Sequence, residues 1–250
     1  MNMFMHGIEE FDIVRGDTLA NPGLIKNDEL KKFNVILANP PYSIKSWDRK
    51  SFESDPFGRN LWGTPPQGCA DYAFQQHIQK SLDVENGRSI SLWPHGILFR
   101  DAEADMRRKM LEEDLVECVI GLGPNLFYNS PMEACLLITK TNKEKRKKGE
   151  ILIINAIQDV RQDKNISYLE PNHIEKIYNA YKAYKDEEGY CKVVSIQDVL
   201  SHKASLNMAL YVSNVDTSKE KVSLNEALST LETSSRNLVM SMDQLFRELS

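Results

Sequence analysis

Short apolar runs recur along this chain, each closed by a turn signal, and between them lie segments whose apolar residues return every three or four positions. The runs at 11–15, 33–38, 89–93, 115–122, 134–139 and 151–154 predict strands, with the run after Pro94 continuing through 96–99. The spacing of Tyr72, Phe74, Ile78 and Leu82 predicts a helix over 70–82 that packs on the sheet, and a second, charged helix is predicted over 102–111. Strands and helices alternate, so the pattern predicts an α/β fold. Residues 1–8 read as the end of a helix capped at Gly7. Beyond 158 the character changes: an amphipathic helix over 168–184, then a strand joined to a short helix over 193–200.

The last segment has a different period. Leu224, Leu228, Leu231, Ser235, Leu238, Met242, Leu245 and Leu249 alternate spacings of four and three, a heptad seam broken once by Ser235. Its narrow apolar stripe predicts a helix that meets a partner, the alternative being a helix folded back on its own domain. Three regions follow: 1–158, 159–215 and 216–250.

One run carries chemistry. Residues 33–38 read as a buried strand that ends abruptly in Asn39-Pro40-Pro41-Tyr42. An aromatic amino group is a poor nucleophile because its lone pair is delocalised. Acceptors on its hydrogens localise that pair, and Asn39 offers a side-chain carbonyl and Pro40 a backbone one. Pro41 fixes Pro40 in an extended conformation, and Tyr42 offers a flat face for an extruded base. The plainer alternative is a Pro-Pro turn with a half-buried aromatic.

Composition narrows the rest. The 41% hydrophobic and 27% charged content is that of an ordinary globular protein, and neither a 20-residue apolar span nor a signal-peptide pattern occurs, which predicts a cytoplasmic protein without a membrane partner. Four scattered cysteines and five dispersed histidines show no metal-ligand spacing. A net charge of −5 argues against coating nucleic acid by charge alone. The one dense basic run, 143–148, is either a solvated loop or a phosphate contact. Gly16-Asp17 follows a predicted strand and is either an ordinary turn or, at a strand's carboxyl end, a cofactor contact through Asp17. The aperiodic stretch 43–68 is long for a loop and is a candidate for closing over substrate.

The chain resembles the methylation subunits of type I restriction-modification systems, which are adenine-specific DNA methyltransferases. The resemblance rests on 39–42 together with 1–7, 16–19, 71–74, 94–100 and 125–128. It implies transfer of a methyl group from S-adenosylmethionine to the 6-amino group of a flipped adenine in DNA, without a covalent enzyme intermediate. It implies that Asn39 and Pro40 hold the amino group, with Pro41 between them and Tyr42, and that Tyr42 stacks on the base. Phe127 is then either a second aromatic against that base or a core residue. Asp17 would contact the adenosine, and Asp71 and Phe74 would line the same pocket, although a helix cap and a core aromatic also explain them. The partners implied are DNA, a specificity subunit held through the last helix, a second methylation subunit and a restriction subunit.

Two departures stand out. The Gly-rich turn after the first strand and the acidic residue after the second are missing, and Gly121-Leu122-Gly123 comes too late to replace the turn. The fold expected is therefore a partial Rossmann-like methyltransferase sheet lacking its first two strands, with a C-terminal helical extension, and the isolated chain is expected to be inactive without the missing cofactor-binding segment. Asn129-Ser130 also stands where such proteins carry Gly-Thr. Two rivals remain: a methyltransferase acting on a protein glutamine, and a catalytically silent assembly module.

Overall fold

The computed structural model describes residues 2–127, 131–163, 166–212 and 224–248. It divides into two compact units, Met1–Asn214 and Val215–Ser250. The first unit opens with α1 (Asn2–Met5), closed by Gly7 in the left-handed region at φ +73°. Residues 11–15 are not a strand; they run as irregular chain with Ile13 and Val14 exposed, and among the described residues no strand offers them a ladder. A small hairpin, β1 (Ile25–Lys26) and β2 (Glu29–Leu30), precedes β3 (Val35–Ala38). After α2 (Arg49–Glu53) come α3 (Asp71–Lys80), β4 (Arg88–Pro94), α4 (Ala104–Glu112), β5 (Val116–Leu122), β6 (Ala134–Lys140) and β7 (Glu150–Ala156). The predicted extension of β4 through 96–99 is instead a 3-10 turn over His95–Leu98.

Six strands form one mixed sheet in the order β10-β7-β5-β6-β4-β3, where β10 is Cys191–Ser195. β3 runs parallel to β4 and β5 parallel to β7, while β6 lies antiparallel between β4 and β5. β8 (Arg161–Asp163), β9 (Ile166–Tyr168) and α5 (Pro171–Ala183) lead to β10, which pairs antiparallel with β7 and is followed by α6 (Ile196–Ser201). The expected boundary at 158 thus falls inside one compact unit, since β10 completes the sheet built by the earlier strands.

The middle of the sheet is buried on both faces. Every residue of β5 is buried, and Ile151, Leu152, Ile153 and Ile154 of β7 have no exposed surface. This is what an unbroken apolar strand needs, with helices covering each side. Gly121 belongs to this packing: a Cβ there would stand 2.2 Å from Met208 Sδ, so any other residue would require the methionine side chain to move. β3 differs. It is the edge strand, and Val35 and Leu37 are 50% and 74% exposed, so the expectation of a buried strand fails: among the described residues nothing pairs with its outer edge.

The second unit holds α7 (Leu224–Glu248), over the segment that carries the heptad spacing. Leu228, Leu231, Leu238 and Met242 are exposed along it. Leu249 lies outside the described residues. No described helix is long and apolar enough to cross a membrane.

Candidate active site

β3 ends at Ala38, and the chain leaves the sheet through Asn39, Pro40, Pro41 and Tyr42. Two successive prolines have no N–H for a ladder, so the backbone turns away here with its carbonyls free to accept. Asn39 and Pro41 face solvent, while Pro40 and Tyr42 are half-buried. The Tyr42 hydroxyl donates to Asn39 Oδ1 at 2.7 Å. This contact orients the amide, and because a carbonyl oxygen has two lone pairs, Oδ1 can still accept an incoming N–H. Burial, followed by the nearby Cys135 and Asp71, raises the Tyr42 pKa and keeps the hydroxyl a donor.

Phe127, the second predicted aromatic, is brought to Tyr42: the ring centroids are 6.4 Å apart and the planes meet at 82°. That edge-to-face contact gives the turn an aromatic wall. Residues 128–130, including the Asn129-Ser130 departure, lie outside the described residues.

The other predicted residues divide. Asp71, the first residue of α3, is fully buried. Its Oδ1 accepts from Ser43 N at 2.7 Å and its Oδ2 from Arg100 Nη2 at 2.5 Å, so both oxygens are engaged within the protein. Phe74 is 9% exposed and packs in the main core with Tyr72 and Trp93. Asp17 is exposed, and its Oδ1 accepts from Leu19 N and Ala20 N, both at 3.0 Å, closing a side-chain turn.

Sequence reasoning missed the residue that holds this turn. Arg59 is 2% exposed and donates to Thr18 O and Leu19 O, each at 2.8 Å, while its guanidinium is paired with Asp55 at 2.5 Å. A lone arginine in an aperiodic stretch carries no pattern signal. It also changes the reading of 43–68, which is no free lid: Phe52, Arg59 and Trp62 are buried, and Trp62 N donates to Gln76 Oε1 of α3 at 2.7 Å.

Beside the Asp17 turn lies a cavity of about 100 Å³ lined by Gly16, Thr18, Asn21 and His77. It shares Leu24 and His77 with an apolar groove of about 270 Å³ along Phe33, Val35 and Leu37. Burial, then the Arg59 charge, lowers the His77 pKa to about 4, so its imidazole is neutral at pH 7. The basic run 143–148 divides: Lys145, Arg146 and Lys148 are exposed. Lys143 and Lys147 are buried, paired with Asp114 at 2.6 Å and Glu117 at 2.9 Å.

The mixed sheet thus places the Asn-Pro-Pro-Tyr turn at the carboxyl end of β3, which runs parallel to β4, with Phe127 against the Tyr42 ring. The chain belongs to the N-6 DNA methylase family, whose sequence model matches residues 1–220. It is 33% identical over 243 residues to the methylase subunit of the type I restriction enzyme MjaVIII of Methanocaldococcus jannaschii, covering 92% of this chain and 41% of that one. It is 30% identical over 241 residues to the HindI methylase subunit of Haemophilus influenzae, covering 92% and 52%. The type I restriction-modification methyltransferase subunit of Streptococcus thermophilus superposes with a TM-score of 0.77 at 32% identity, over 85% of this chain and 45% of that one. The EcoKI M protein shares the fold at a TM-score of 0.61 and 18% identity. The chain spans about half the length of the relatives it matches.

Proposed function

We propose that this chain supplies the amino-group-holding part of an adenine-specific DNA methyltransferase of the type I restriction-modification kind. The observation that carries the reading is the Asn39–Tyr42 turn at the end of β3, with Asn39 Oδ1 oriented by the Tyr42 hydroxyl and Phe127 against the Tyr42 ring. Asn39 Oδ1 and the Pro40 carbonyl accept the two hydrogens of the 6-amino group. Accepting both shifts the nitrogen lone pair out of conjugation with the ring and toward an electrophile. Tyr42 and Phe127 hold the flipped base by its apolar faces and exclude water.

S-adenosylmethionine is the methyl donor of this reading. The cavity of about 100 Å³ beside Asp17 meets the groove of about 270 Å³ at Leu24 and His77, and small-molecule sites occupy about 300 Å³ or more, so the cofactor is proposed to draw on both. Asp17 remains the residue proposed to contact the adenosine, while Asp71 and Phe74, engaged with Ser43 and Arg100 and in the core, stand away from the residues that line the cavity. The groove alongside continues into the open edge of β3, where an added strand would deepen it. On this reading the chain supplies the part that holds the target amino group, and further polypeptide along that edge completes cofactor binding. The exposed leucines of α7 serve as the contact for a specificity subunit that brings DNA recognition, within an assembly that also holds a second methylation subunit and a restriction subunit.

Titration calorimetry with S-adenosylmethionine tests the cofactor half of this reading. No binding by the chain alone is expected. Tight binding abolished by Asp17→Ala would show a complete pocket and refute the need for an added edge. The catalytic half is tested by methyl transfer to DNA after co-assembly with the remaining half of a type I methylase subunit; failure there, with cofactor bound, would favour a silent assembly module.

A further inference from the structure

Ser43, directly after the Asn39–Tyr42 turn, has φ +50°, a left-handed conformation that a non-glycine residue adopts only at a cost. Something must hold it. Its side of the backbone faces solvent, and the Ser43 N–H has one partner, Asp71 Oδ1 at 2.7 Å. Asp71 has no exposed surface, so its charge must be answered inside the protein. Arg100 answers it: Nη2 donates to Asp71 Oδ2 at 2.5 Å, Nη1 to Cys69 Sγ at 2.6 Å, and Nε faces Glu103 Oε2 at 3.1 Å.

The donor atoms of Cys69, Asp71 and Glu103 lie within 4.8 Å of one another, close enough to suggest a metal site. The guanidinium touches all three and is the cation of that cluster. Gly96 makes room for it, since a Cβ there would meet Arg100 Nε at 3.0 Å. Three separate segments thus converge on one carboxylate: the loop after β3, the start of α3 and the turn after β4.

We propose that Asp71, clamped by Arg100, is a positioning residue that fixes the exit of the Asn39–Tyr42 turn and so the direction in which Asn39 and Tyr42 face the substrate amino group. The inference rests on the methyltransferase reading for its consequence, but not for its geometry. Asp71 acts through Ser43 and touches neither base nor cofactor.

Hydrogen exchange at the Ser43 amide, measured on the full chain, tests the geometry. Ser43 is exposed, so its protection comes from this one charge-assisted bond, and Asp71→Ala should speed exchange about 10- to 100-fold. Asp71→Asn keeps an acceptor for Ser43 but not the charge for Arg100, and should restore part of the protection. Should Asp71→Ala fail to fold, Arg100→Gln, at a side chain 29% exposed, should shift Ser43 exchange in the same direction by a smaller factor. Unchanged Ser43 exchange in a folded variant of either residue would overturn the proposal.

A second arm reads the consequence in the co-assembled enzyme. Positioning predicts that Asp71→Ala lowers kcat and leaves the KM for S-adenosylmethionine unchanged. A raised KM with kcat intact would make Asp71 a cofactor contact instead. If the unsubstituted assembly transfers no methyl group, the functional reading fails, while the exchange result still decides whether Asp71 holds the turn.

Discussion

β3 and β7 are both unbroken apolar runs, yet one is an open edge and the other is sealed. Leu37 of β3 is 74% exposed, whereas Leu152 of β7 has no exposed surface. The side chains alone do not distinguish them; what distinguishes them is cover. β7 lies between β5 and β10, with α5 packed near it, while β3 has β4 on one side and nothing described on the other. The turn read as reactive hangs from the thinly covered strand, and the stabilising bulk sits at the sealed one.

This division predicts a separation of effects. The largest falls on activity: Asn39→Ala should lower kcat in the co-assembled enzyme by about 100- to 1,000-fold, as expected when one preorganised hydrogen-bond partner is removed, with an unchanged melting temperature. A matching loss of stability would break the division. On the sealed side, Leu152→Ala should cost about 2–5 kcal/mol in denaturant unfolding, because it opens a cavity in a fully buried strand.

The next effect comes from pH. His77 lines the groove beside β3, and its folded pKa of about 4 lies below the ordinary 6.5. A histidine with a depressed folded pKa contributes stability above pH 6.5 that is lost as pH falls towards 4. The loss should approach about 2 kcal/mol by pH 4.5, and His77→Gln should flatten that slope. An unfolding profile with no such slope would mean that the β3 side is loosely held, and NMR titration of His77 near 6.5 would say the same. The smallest effect belongs to the edge itself: Leu37→Ala should change stability by no more than about 0.5 kcal/mol, against the large cost at Leu152.

Much of this architecture was legible in the sequence because period and turn residues report local structure. Residues 70–82 carry helical spacing and form α3; the double proline stops β3 where it was expected to stop. What depends on distant partners was not legible. Residues 11–15 have strand composition but no strand to pair with, and β3 has the composition of a central strand at an edge. Within the candidate site, the pairing of Tyr42 with Phe127 follows the expected order of segments. The clamp by Arg100 and the staple by Arg59 do not, since a buried arginine declares itself only through the carboxylates that meet it, Asp71 and Asp55. The basic run shows the same limit in part: Lys145, Arg146 and Lys148 are exposed as charge density suggests, while Lys143 and Lys147 are buried against Asp114 and Glu117.

The open edge of β3 has one more consequence, for the protein's behaviour at high concentration. An unpaired apolar strand is a template on which a second molecule can nucleate a shared sheet. Here the template is four residues long, guarded by Lys31 and Lys32 ahead of it and closed by Pro40 and Pro41 behind. Charged and proline gatekeepers of this kind discourage runaway self-association. The same proline pair that frees a carbonyl for chemistry therefore also acts as a solubility device, and replacing it would expose the strand to clumping as well as disarm the turn.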